Sequence, residues 1–371
     1  MKVAIITKSA TTKSGARAPF ELALALENKC DLTIFAESKN SEQELKKKYK
    51  NLKLYTNPTH LYQLLKAGRF SVISFHATLA EMIAAKLTGI PIAATYYGTQ
   101  FDAYLEKNLP EQKPSLIDLL VNQLTNKAIW IIKKLQMSLA NKTISISAYT
   151  QRELKNLYGV KSTVIYLGPS TNLKPTTNNQ RSSSNHSTIL TVSRLTPYKG
   201  FHILIETINK LRAQGLDLKL IIVGSSHKNN YLRYLKKIKY KEDQIILDAD
   251  DKTLAVLYRS CDIYATCDRY LFFGLPIVEA ASFSKPVVIL NNKAASELIV
   301  HKKTGYIADS KDELEEYLRI LLKNKRLRKQ LGEQAKIYSE KKFNWKKIAL
   351  QYQQIFQNLH KLSNAYSDHS K

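Results

Sequence analysis

The chain has 371 residues, 44% of them hydrophobic, a length that exceeds one ordinary core and predicts two domains of about 170–190 residues each. No apolar run approaches the ~18 residues that a membrane span requires, and the N-terminal apolar stretch is too short for a signal peptide, so we expect a cytoplasmic protein. The formal charge of +26 is spread over both halves without an aromatic-rich basic stripe, which argues against nucleic-acid binding and favours general solubility or attraction to an acidic membrane surface.

The first half alternates short apolar runs with amphipathic stretches. Helical periodicity is clear at Phe20–Leu26 and Leu79–Leu87, between runs that predict buried parallel strands. This βαβ rhythm predicts a doubly wound α/β domain over residues 1–170. The predicted strands are Val3–Thr7, Leu32–Ala36, Val72–Phe75, Ile92–Thr95 and Thr143–Ser147.

A polar segment separates this half from the next. Residues 171–187 include the triplet Ser182-Ser183-Ser184 and predict a flexible interdomain linker. The rhythm then restarts and predicts a second α/β domain over residues 188–344, which is helical and highly charged from Leu314 onward. The predicted strands of this domain are Ile189–Val192, Leu218–Val223, Gln244–Leu247, Ile263–Thr266 and Val287–Leu290.

A last amphipathic helix is predicted over residues 345–362, beginning at Trp345 and followed by a polar, frayed end at Ser363–Lys371. Two α/β domains in series imply a cleft between them, and ligands bind such sheets beyond the carboxyl ends of the strands. Chemistry is therefore expected in the loops that follow the strands. The apolar positions of the last helix are Ile348, Tyr352, Ile355, Phe356 and Leu359.

Two cations follow a predicted strand at a spacing that suits a diphosphate. Arg194 and Lys199 lie five residues apart in the loop after Ile189–Val192, just ahead of Gly200 and a predicted helix. A loop at a strand end can aim both cations at one point, where fixed positive charge stabilises a departing diphosphate. The alternative is a pair of solvated surface cations, which a chain of charge +26 readily supplies.

A glycine loop leads into another predicted helix at Gly274-Leu275-Pro276. The first turn of such a helix can present backbone amides to an anion. Glu279, in the opening turns, could accept hydrogen bonds from both hydroxyls of a ribose. The alternative for Glu279 is a surface acid that interacts favourably with the helix dipole.

Together these segments resemble glycosyltransferase family 4, and the spacing matches throughout residues 188–308. The ending Phe343-Asn344-Trp345 also resembles this family, in which the last helix crosses back onto the N-terminal domain, and weaker resemblance extends over residues 1–170. The resemblance implies the GT-B fold, with two doubly wound Rossmann-like domains facing across a cleft. The matching segments are Ser193-Arg194, Lys199-Gly200, Asp262-Ile263-Tyr264, Phe273-Gly274-Leu275-Pro276, Glu279-Ala280, Lys285-Pro286-Val287-Val288, Ala295-Ser296-Glu297-Leu298-Ile299 and Thr304-Gly305-Tyr306.

The resemblance implies a role for each matching position of the C-terminal domain. Arg194 and Lys199 would hold the diphosphate of a nucleotide-sugar donor, and Glu279 would bind the donor ribose. Gly274 and Leu275 would offer backbone amides to the sugar or phosphate. The family keeps the configuration of the anomeric carbon and needs no metal and no cofactor, since the nucleotide-sugar is a substrate.

Further positions follow from the same resemblance. Gly224, after the strand Leu218–Val223, would lie near the nucleotide base. In the N-terminal domain, Gly15 matches the family's flexible glycine-containing loop beside the donor phosphates, although Gly15-Ala16-Arg17 is less glycine-rich than usual. His76 matches the histidine that approaches the transferred sugar, and Gly98 matches the glycine after the next strand.

One departure from the family concerns the donor sugar. The family usually has two glutamates with seven residues between them; Glu279 is the second, whereas Leu271 stands at the first position, followed by Phe272 where glycine is common. The missing carboxylate normally contacts the donor sugar, so its loss leaves open the identity of that sugar and catalysis itself. Asp268 is close enough in the sequence to substitute for it.

Three other patterns have ordinary structural interpretations. The pair Asp248 and Asp250 could bind a divalent metal in a different glycosyltransferase fold, but helix capping is the better explanation here. The three cysteines lack metal-site spacing and predict reduced, structural thiols. The segment Lys127–Leu135, with Trp130 at its centre, is interpreted as an amphipathic core helix or, alternatively, as a membrane-docking segment.

The sequence therefore predicts a retaining, metal-independent glycosyltransferase that moves a sugar to a glycan or lipid-linked acceptor, in the cytoplasm and in peripheral contact with the inner membrane face. A second hypothesis is a catalytically impaired GT-B protein that binds nucleotide-sugar or membrane without transfer, because Leu271 replaces an acid and fold does not guarantee activity. A nucleotide-sugar epimerase is a third, weaker alternative.

Overall fold

Two parallel β-sheets organise the chain in the computed structural model, which describes residues 1–9, 17–38, 49–101, 109–110, 112–173, 186–225 and 229–368. The chain divides by its internal contacts into two units. The first unit comprises residues 1–99, 126–168 and 344–371, and the second comprises residues 100–125 and 169–343. Residues 100–125 thus group with the second unit, whereas the sequence placed them in the first domain.

The sheet of the first unit has seven strands in the order β3-β2-β1-β4-β5-β6-β7, and all of its pairings are parallel. The chain runs outward from β1 to β3 and then returns to the other side of β1 at β4, which makes β1 and β4 the switch point of this sheet. The strands are β1 (Lys2–Thr7), β2 (Asp31–Glu37), β3 (Leu52–Tyr55), β4 (Val72–His76), β5 (Ile92–Tyr96), β6 (Lys142–Ser145) and β7 (Thr163–Val164).

Among the described residues, five helices connect these strands, the fourth of which begins in residues that group with the second unit, and local signals fix several of their ends. The Asn57 side chain accepts a hydrogen bond from the His60 amide at the start of the second helix, and Thr78 and Glu81 form a capping box at the third. Gly159 ends the fifth helix in a left-handed conformation. The helices are α1 (Ala18–Leu26), α2 (Pro58–Gly68), α3 (Leu79–Leu87), α4 (Leu116–Ser138) and α5 (Ala148–Tyr158).

The sheet of the second unit has six strands in the order β10-β9-β8-β11-β12-β13, again all parallel. Its core includes the buried Ile189, Leu220 and Ile263 of three adjacent strands, packed with the buried Ile205 and Leu318 of flanking helices. The strands are β8 (Ser187–Val192), β9 (Leu218–Gly224), β10 (Gln244–Leu247), β11 (Ile263–Thr266), β12 (Val287–Leu290) and β13 (Gly305–Ala308).

The helices of the second unit follow its strands, apart from a single 3₁₀ turn over Pro197–Lys199 just before the first of them. The helices are α6 (Phe201–Ala213), α7 (Asn229–Ile238), α8 (Asp251–Ser260), α9 (Leu275–Ser282), α10 (Ala295–Leu298), α11 (Lys311–Lys323) and α12 (Lys325–Lys342). Within the described ranges, no helix is long and apolar enough to cross a membrane.

The last helix, α13 (Trp345–Asp368), belongs to the first unit although it follows the second in the sequence. Its buried face packs against α1, β4 and β5, and the Tyr352 hydroxyl lies 3.1 Å from Thr95 Oγ1. All five predicted apolar positions of this helix are buried. The helix continues to Asp368, beyond the predicted end at residue 362, and residues 369–371 of the predicted frayed end lie outside the described residues.

The predicted strands are confirmed in both units. One of them was predicted to end too late, and three strands of the structure were not predicted. Ser147 does not end β6, because it caps α5 by accepting a hydrogen bond from the Thr150 amide. Most of the predicted linker, residues 174–185, lies outside the described residues. The strands that the sequence did not predict are β3, β7 and β13.

Candidate functional site

The loops after β8 and β11 meet at the switch point of the second sheet. These strands are adjacent, but the chain reaches β9 and β10 on one side before it returns to β11 on the other. Open α/β sheets bind ligands beyond the carboxyl ends of the strands at such a point. The loop after β8 carries Arg194 and Lys199, and the loop after β11 carries Asp268 and Leu271.

Two glycines allow these loops to approach closely. Gly200 has a φ of +68°, and a Cβ there would lie 2.3 Å from the carbonyl oxygen of Cys267 at the end of β11. At Gly224, which ends β9, a Cβ would lie 2.0 Å from the carbonyl oxygen of Ser193. A side chain at either position would require the backbone to move. Glycine at these two positions therefore allows the loops to lie this close together.

Lys199 forms an ion pair with Asp268 across the switch point. The two side chains are only 14% and 8% exposed, respectively. The second carboxylate oxygen of Asp268 accepts a hydrogen bond from the Tyr270 amide at 2.9 Å, and the Asn292 side chain donates to the Asp268 carbonyl at 2.8 Å. The ammonium of Lys199 is therefore held by a carboxylate that the Tyr270 amide fixes, on a backbone that the Asn292 side chain holds.

Arg194 is held by a tyrosine in the same loop. Its guanidinium donates a 2.7 Å hydrogen bond to the hydroxyl of Tyr198, whose ring is buried. The Lys199 ammonium lies 5.2 Å from the centre of that ring, and the Tyr270 ring packs edge-on against it at 5.7 Å. Tyr198 thus contacts both predicted phosphate-binding cations and supports them without neutralising their charge.

The start of α9 presents the glycine loop and Glu279. Pro276 has no amide hydrogen, and the amides of Ile277 and Val278 donate to the Gly274 carbonyl at 3.0 and 3.2 Å. The amides of Gly274 and Leu275 precede this hydrogen-bond ladder and are not used by the helix itself. Glu279 is buried, and one of its carboxylate oxygens accepts a 2.9 Å hydrogen bond from Tyr258.

Leu271 is packed into the interior at the position where the family usually has glutamate. Its side chain is buried, and its Cδ1 lies 3.0 Å from the place that a Cβ of Gly274 would occupy. Its carbonyl accepts a 3.1 Å hydrogen bond from the amide of Ala294. This apolar side chain therefore packs against the glycine loop, and no carboxylate is present at this position.

In the first unit, His76 ends β4 with both ring nitrogens engaged. Its Nε2 lies 2.9 Å from the Ser74 hydroxyl and its Nδ1 lies 2.8 Å from the Tyr97 hydroxyl. Burial lowers the pKa of His76 to about 3, which makes the ring neutral at physiological pH. Gly98 follows with a φ of +94°, in the region that favours glycine, whereas Gly15 lies outside the described residues.

Sequence reasoning missed the tyrosines that hold three predicted site residues: Tyr198 for Arg194, Tyr258 for Glu279 and Tyr97 for His76. Tyr198 could have been found, since it directly precedes Lys199. Tyr258 lies on the preceding helix and Tyr97 follows a different strand from His76, so no local spacing points to them.

The other sequence patterns have structural roles. Asp250 caps α8 by accepting a 2.8 Å hydrogen bond from the Thr253 amide, which confirms the capping interpretation. All three cysteines are free thiols, and burial raises the pKa of Cys261 to about 12. Within the described ranges, no three histidine, cysteine or acidic side chains are grouped as a metal site would require.

Comparisons with known proteins cover both units. A family model described as glycosyl transferases group 1 matches residues 175–338, and one for glycosyltransferase family 4 matches residues 16–173. An uncharacterised glycosyltransferase of Haemophilus influenzae is 28% identical over 165 residues, which are 44% of this chain and 47% of that protein. A probable sucrose-phosphate synthase of Thermosipho melanesiensis is 30% identical over 172 residues, covering 44% of this chain and 40% of that protein.

Among solved structures, HepE of Anabaena, in complex with UDP and glucose, matches with a TM-score of 0.77. The match covers 96% of this chain and 100% of that chain at 19% identity, which shows the fold alone. The chain has the GT-B fold. It belongs to glycosyltransferase family 4, whose two domain models it matches in order. The chain spans about half the length of the curated relatives it matches.

Proposed function

We propose that this protein is a retaining, metal-independent transferase that moves a sugar from a nucleoside-diphosphate sugar to a hydroxyl of a glycan or lipid-linked acceptor. The observation that carries the proposal is the pair of supported cations at the switch point of the second sheet, Arg194 on Tyr198 and Lys199 on Asp268. HepE, which has the same fold, was solved with UDP and glucose, in line with a nucleotide-sugar donor.

In the proposed reaction, the bond between the anomeric carbon and the diphosphate oxygen breaks, and the diphosphate leaves with the electron pair. Arg194 and Lys199 stabilise the negative charge that grows on this leaving group. The acceptor oxygen bonds to the anomeric carbon on the face that the diphosphate leaves, and its proton passes to the departing diphosphate. No side chain is required as a general base.

The remaining contacts orient the donor. Glu279 accepts hydrogen bonds from the ribose hydroxyls, with Tyr258 fixing its carboxylate. The amides of Gly274 and Leu275 receive the sugar or phosphate, and Gly224 leaves room near the base.

His76 contacts the transferred sugar as a neutral ring, because burial keeps its pKa low. Gly98 and Gly15 are the other donor-binding residues that the family resemblance implies. Asp268 reaches the donor through Lys199, which it holds by an ion pair. No metal is needed in this scheme, because two side-chain cations take the place of a divalent ion at the diphosphate. The proposed location is the cytoplasm, with peripheral contact at the inner membrane face.

The test is a panel of UDP-, GDP- and ADP-sugars, each incubated with the purified protein and EDTA while release of nucleoside diphosphate is measured. Arg194→Ala and Lys199→Ala should each cost roughly 2–4 kcal/mol of transition-state stabilisation, a loss in rate of about 30-fold to 1,000-fold. Arg233→Ala, which removes an exposed arginine of α7, is the matched control. Undiminished turnover in Arg194→Ala would contradict the proposal.

The second candidate is a catalytically impaired protein that binds the nucleotide-sugar without transfer. The buried Leu271 favours it, since no carboxylate is available at that position for the donor sugar. Tight UDP binding without release from any donor, even with a broad acceptor mixture, would support this alternative. Conversion of the donor sugar without any acceptor would indicate the epimerase instead.

A further inference from the structure

The two cations at the switch point of the second sheet have partners of different charge. Arg194 donates a 2.7 Å hydrogen bond to the Tyr198 hydroxyl, which carries no charge near neutral pH. Lys199 instead forms an ion pair with Asp268, and the two side chains are 14% and 8% exposed, respectively. The charge of Lys199 is therefore offset by a carboxylate, whereas the tyrosine leaves the charge of Arg194 as it is.

The ion pair is not needed to join the two loops that carry it. The Arg269 amide donates a 2.9 Å hydrogen bond to the Tyr198 carbonyl, which links the loop after β11 directly to the loop after β8. The Asn292 side chain also holds the loop after β11, because it donates to the Asp268 carbonyl at 2.8 Å. A buried ion pair contributes little net stability, since the desolvation of both charges offsets their attraction. What Asp268 adds to this site is chiefly its negative charge.

The contacts of Asp268 direct this charge to the predicted phosphate-binding cation. Its Oδ2 pairs with the Lys199 ammonium, and its Oδ1 accepts a 2.9 Å hydrogen bond from the Tyr270 amide. The sequence suggested Asp268 as a substitute for the missing glutamate at the donor sugar. The carboxylate instead lies where it acts on any anion that binds Lys199.

A negative charge beside Lys199 affects the two nucleotides of the proposed reaction unequally. In the donor, the sugar esterifies the terminal phosphate and leaves about two negative charges on the diphosphate. The released nucleoside diphosphate carries about three near neutral pH, because a terminal phosphate loses its second proton at about pH 6. Coulomb repulsion scales with the product of the charges, so a carboxylate at this place repels the released nucleotide more strongly than the donor.

We propose that Asp268 is a specificity residue that weakens binding of the released nucleoside diphosphate relative to the intact nucleotide-sugar. The inference rests on the proposed function, in which Lys199 holds the donor diphosphate. Two cations without a neighbouring carboxylate would favour the more highly charged product, and slow product release limits turnover in many enzymes. Asp268 counteracts this preference, because the diphosphate has to share Lys199 with it.

The experiment measures, by calorimetry on the full chain, the affinities for uridine, UDP-glucose and UDP, with guanosine, GDP-glucose and GDP in parallel. The main variant is Asp268→Asn, which keeps nearly the same shape without the charge. Asp268→Ser is a second uncharged variant, which serves if the asparagine variant does not fold.

Asp262→Asn is the matched control. One carboxylate oxygen of Asp262 also accepts a hydrogen bond from a backbone amide, that of Thr188 at 2.9 Å, and the other also faces a cation, Arg328 at 3.6 Å. Asp262 directly precedes β11, so it lies at the opposite end of this strand from Asp268.

The effect of the substitution should increase with the charge of the ligand. We expect Asp268→Asn to leave uridine binding unchanged, to tighten UDP-glucose binding, and to tighten UDP binding at least about fivefold more than UDP-glucose binding. Asp262→Asn should match the wild type for all three ligands. A purely structural role of Asp268 would change the three affinities alike, and a contact with the sugar would change UDP-glucose alone. Either result would overturn the inference.

Lys199→Ala, measured with the same ligands, separates this inference from the proposed function. If Lys199→Ala weakens UDP binding but Asp268→Asn leaves the ratio of UDP to UDP-glucose affinity unchanged, the inference fails and the proposed function stands. If Lys199→Ala binds both nucleotides as the wild type does, or if the wild type binds neither series, the proposed function fails and the inference fails with it.

Discussion

Tyrosine hydroxyls determine how three predicted site residues are presented. The phenols of Tyr198, Tyr258 and Tyr97 contact a guanidinium, a carboxylate and an imidazole. A phenol carries no charge near neutral pH, so it can orient each group without cancelling the charge that the group offers to a ligand. Lys199 differs, because its partner Asp268 is a carboxylate. In the proposed function, a donor diphosphate therefore has to share Lys199 with Asp268.

Tyr258→Phe should weaken UDP binding. The substitution removes the hydrogen bond to the buried carboxylate of Glu279, a loss of about 1–3 kcal/mol for a charged group. Tyr264→Phe is the control, because its buried hydroxyl donates to the Val192 carbonyl at 3.2 Å. Both variants should lose stability in a thermal melt, but calorimetry should show weaker UDP binding for Tyr258→Phe alone. Equal UDP affinity in the two variants would count against a ribose-binding role for Glu279.

His76 should make folding stability sensitive to mild acid. Burial lowers its pKa to about 3 in the folded protein, whereas an unfolded histidine titrates near about 6.5. The unfolded chain therefore binds a proton that the folded chain does not, and stability falls as the pH drops below the unfolded value. Between pH 7 and pH 5 this single group should cost about 2 kcal/mol of unfolding free energy.

Urea titrations of wild type and His76→Gln at the two pH values test this. The variant is expected to be less stable at pH 7, because the substitution alters the hydrogen bonds of the His76 ring with the Ser74 and Tyr97 hydroxyls. It should nevertheless lose less stability than the wild type when the pH falls to 5. A parallel decline in both proteins would show that other groups govern the acid response. Activity should show no titration of His76 between pH 5 and pH 8.

At the scale of elements, the turn between β8 and α6 depends on Gly200. Alanine there would need a left-handed backbone and would place its Cβ 2.3 Å from the Cys267 carbonyl oxygen. Gly200→Ala should cost more than about 2 kcal/mol of unfolding free energy and should weaken UDP binding, because Lys199 would shift. Chemical denaturation and calorimetry measure the two effects.

Gly215, at the other end of α6, provides the matched control. Its φ is +86°, but nothing lies within 4 Å of the place that a Cβ would occupy. Gly215→Ala should cost only about 1 kcal/mol and leave UDP affinity unchanged. If the two variants were equally stable, close approach to β11 would not be what requires glycine at position 200.

The inner strands were predictable from the sequence, whereas three of the four edge strands were not. The inner strands Ile263–Thr266 and Val287–Leu290 and the edge strand Gln244–Leu247 were predicted residue for residue, because apolar runs or dense β-branched residues mark them. The missed strands β3, β7 and β13 are all edge strands. β7 has only two residues, and the exposed Lys53 interrupts the apolar pattern of β3, so neither strand leaves an apolar run to detect.

The candidate site divides in a similar way. Arg194, Lys199 and Glu279 were proposed because they follow a strand or a glycine loop, where chain order indicates a ligand, whereas His76 was proposed from the family resemblance; their roles stay predictions. Their partners were mostly hidden. Asp268 and Tyr258 meet Lys199 and Glu279 through strand order and helix packing, and those contacts join residues 69 and 21 positions apart.

At the scale of the whole molecule, the first unit depends on a helix from the far end of the chain. Phe356 of α13 is fully buried, and Phe356→Ala should cost about 3–5 kcal/mol, whereas the exposed Leu350→Ala should stay within about 0.5 kcal/mol. Hydrogen exchange should show the loss of protection in β4 and β5, which α13 contacts. Loss confined to β8 and β9 would contradict the assignment of α13 to the first unit.

The position of α13 also bears on the order of folding during synthesis. The strands β1 to β7 leave the ribosome early, but the helix that covers β4 and β5 is translated after every element of the second unit. Nascent domains usually fold in order from the N-terminus. The first unit therefore cannot be completed until α13 has been synthesised, after all the strands of both sheets.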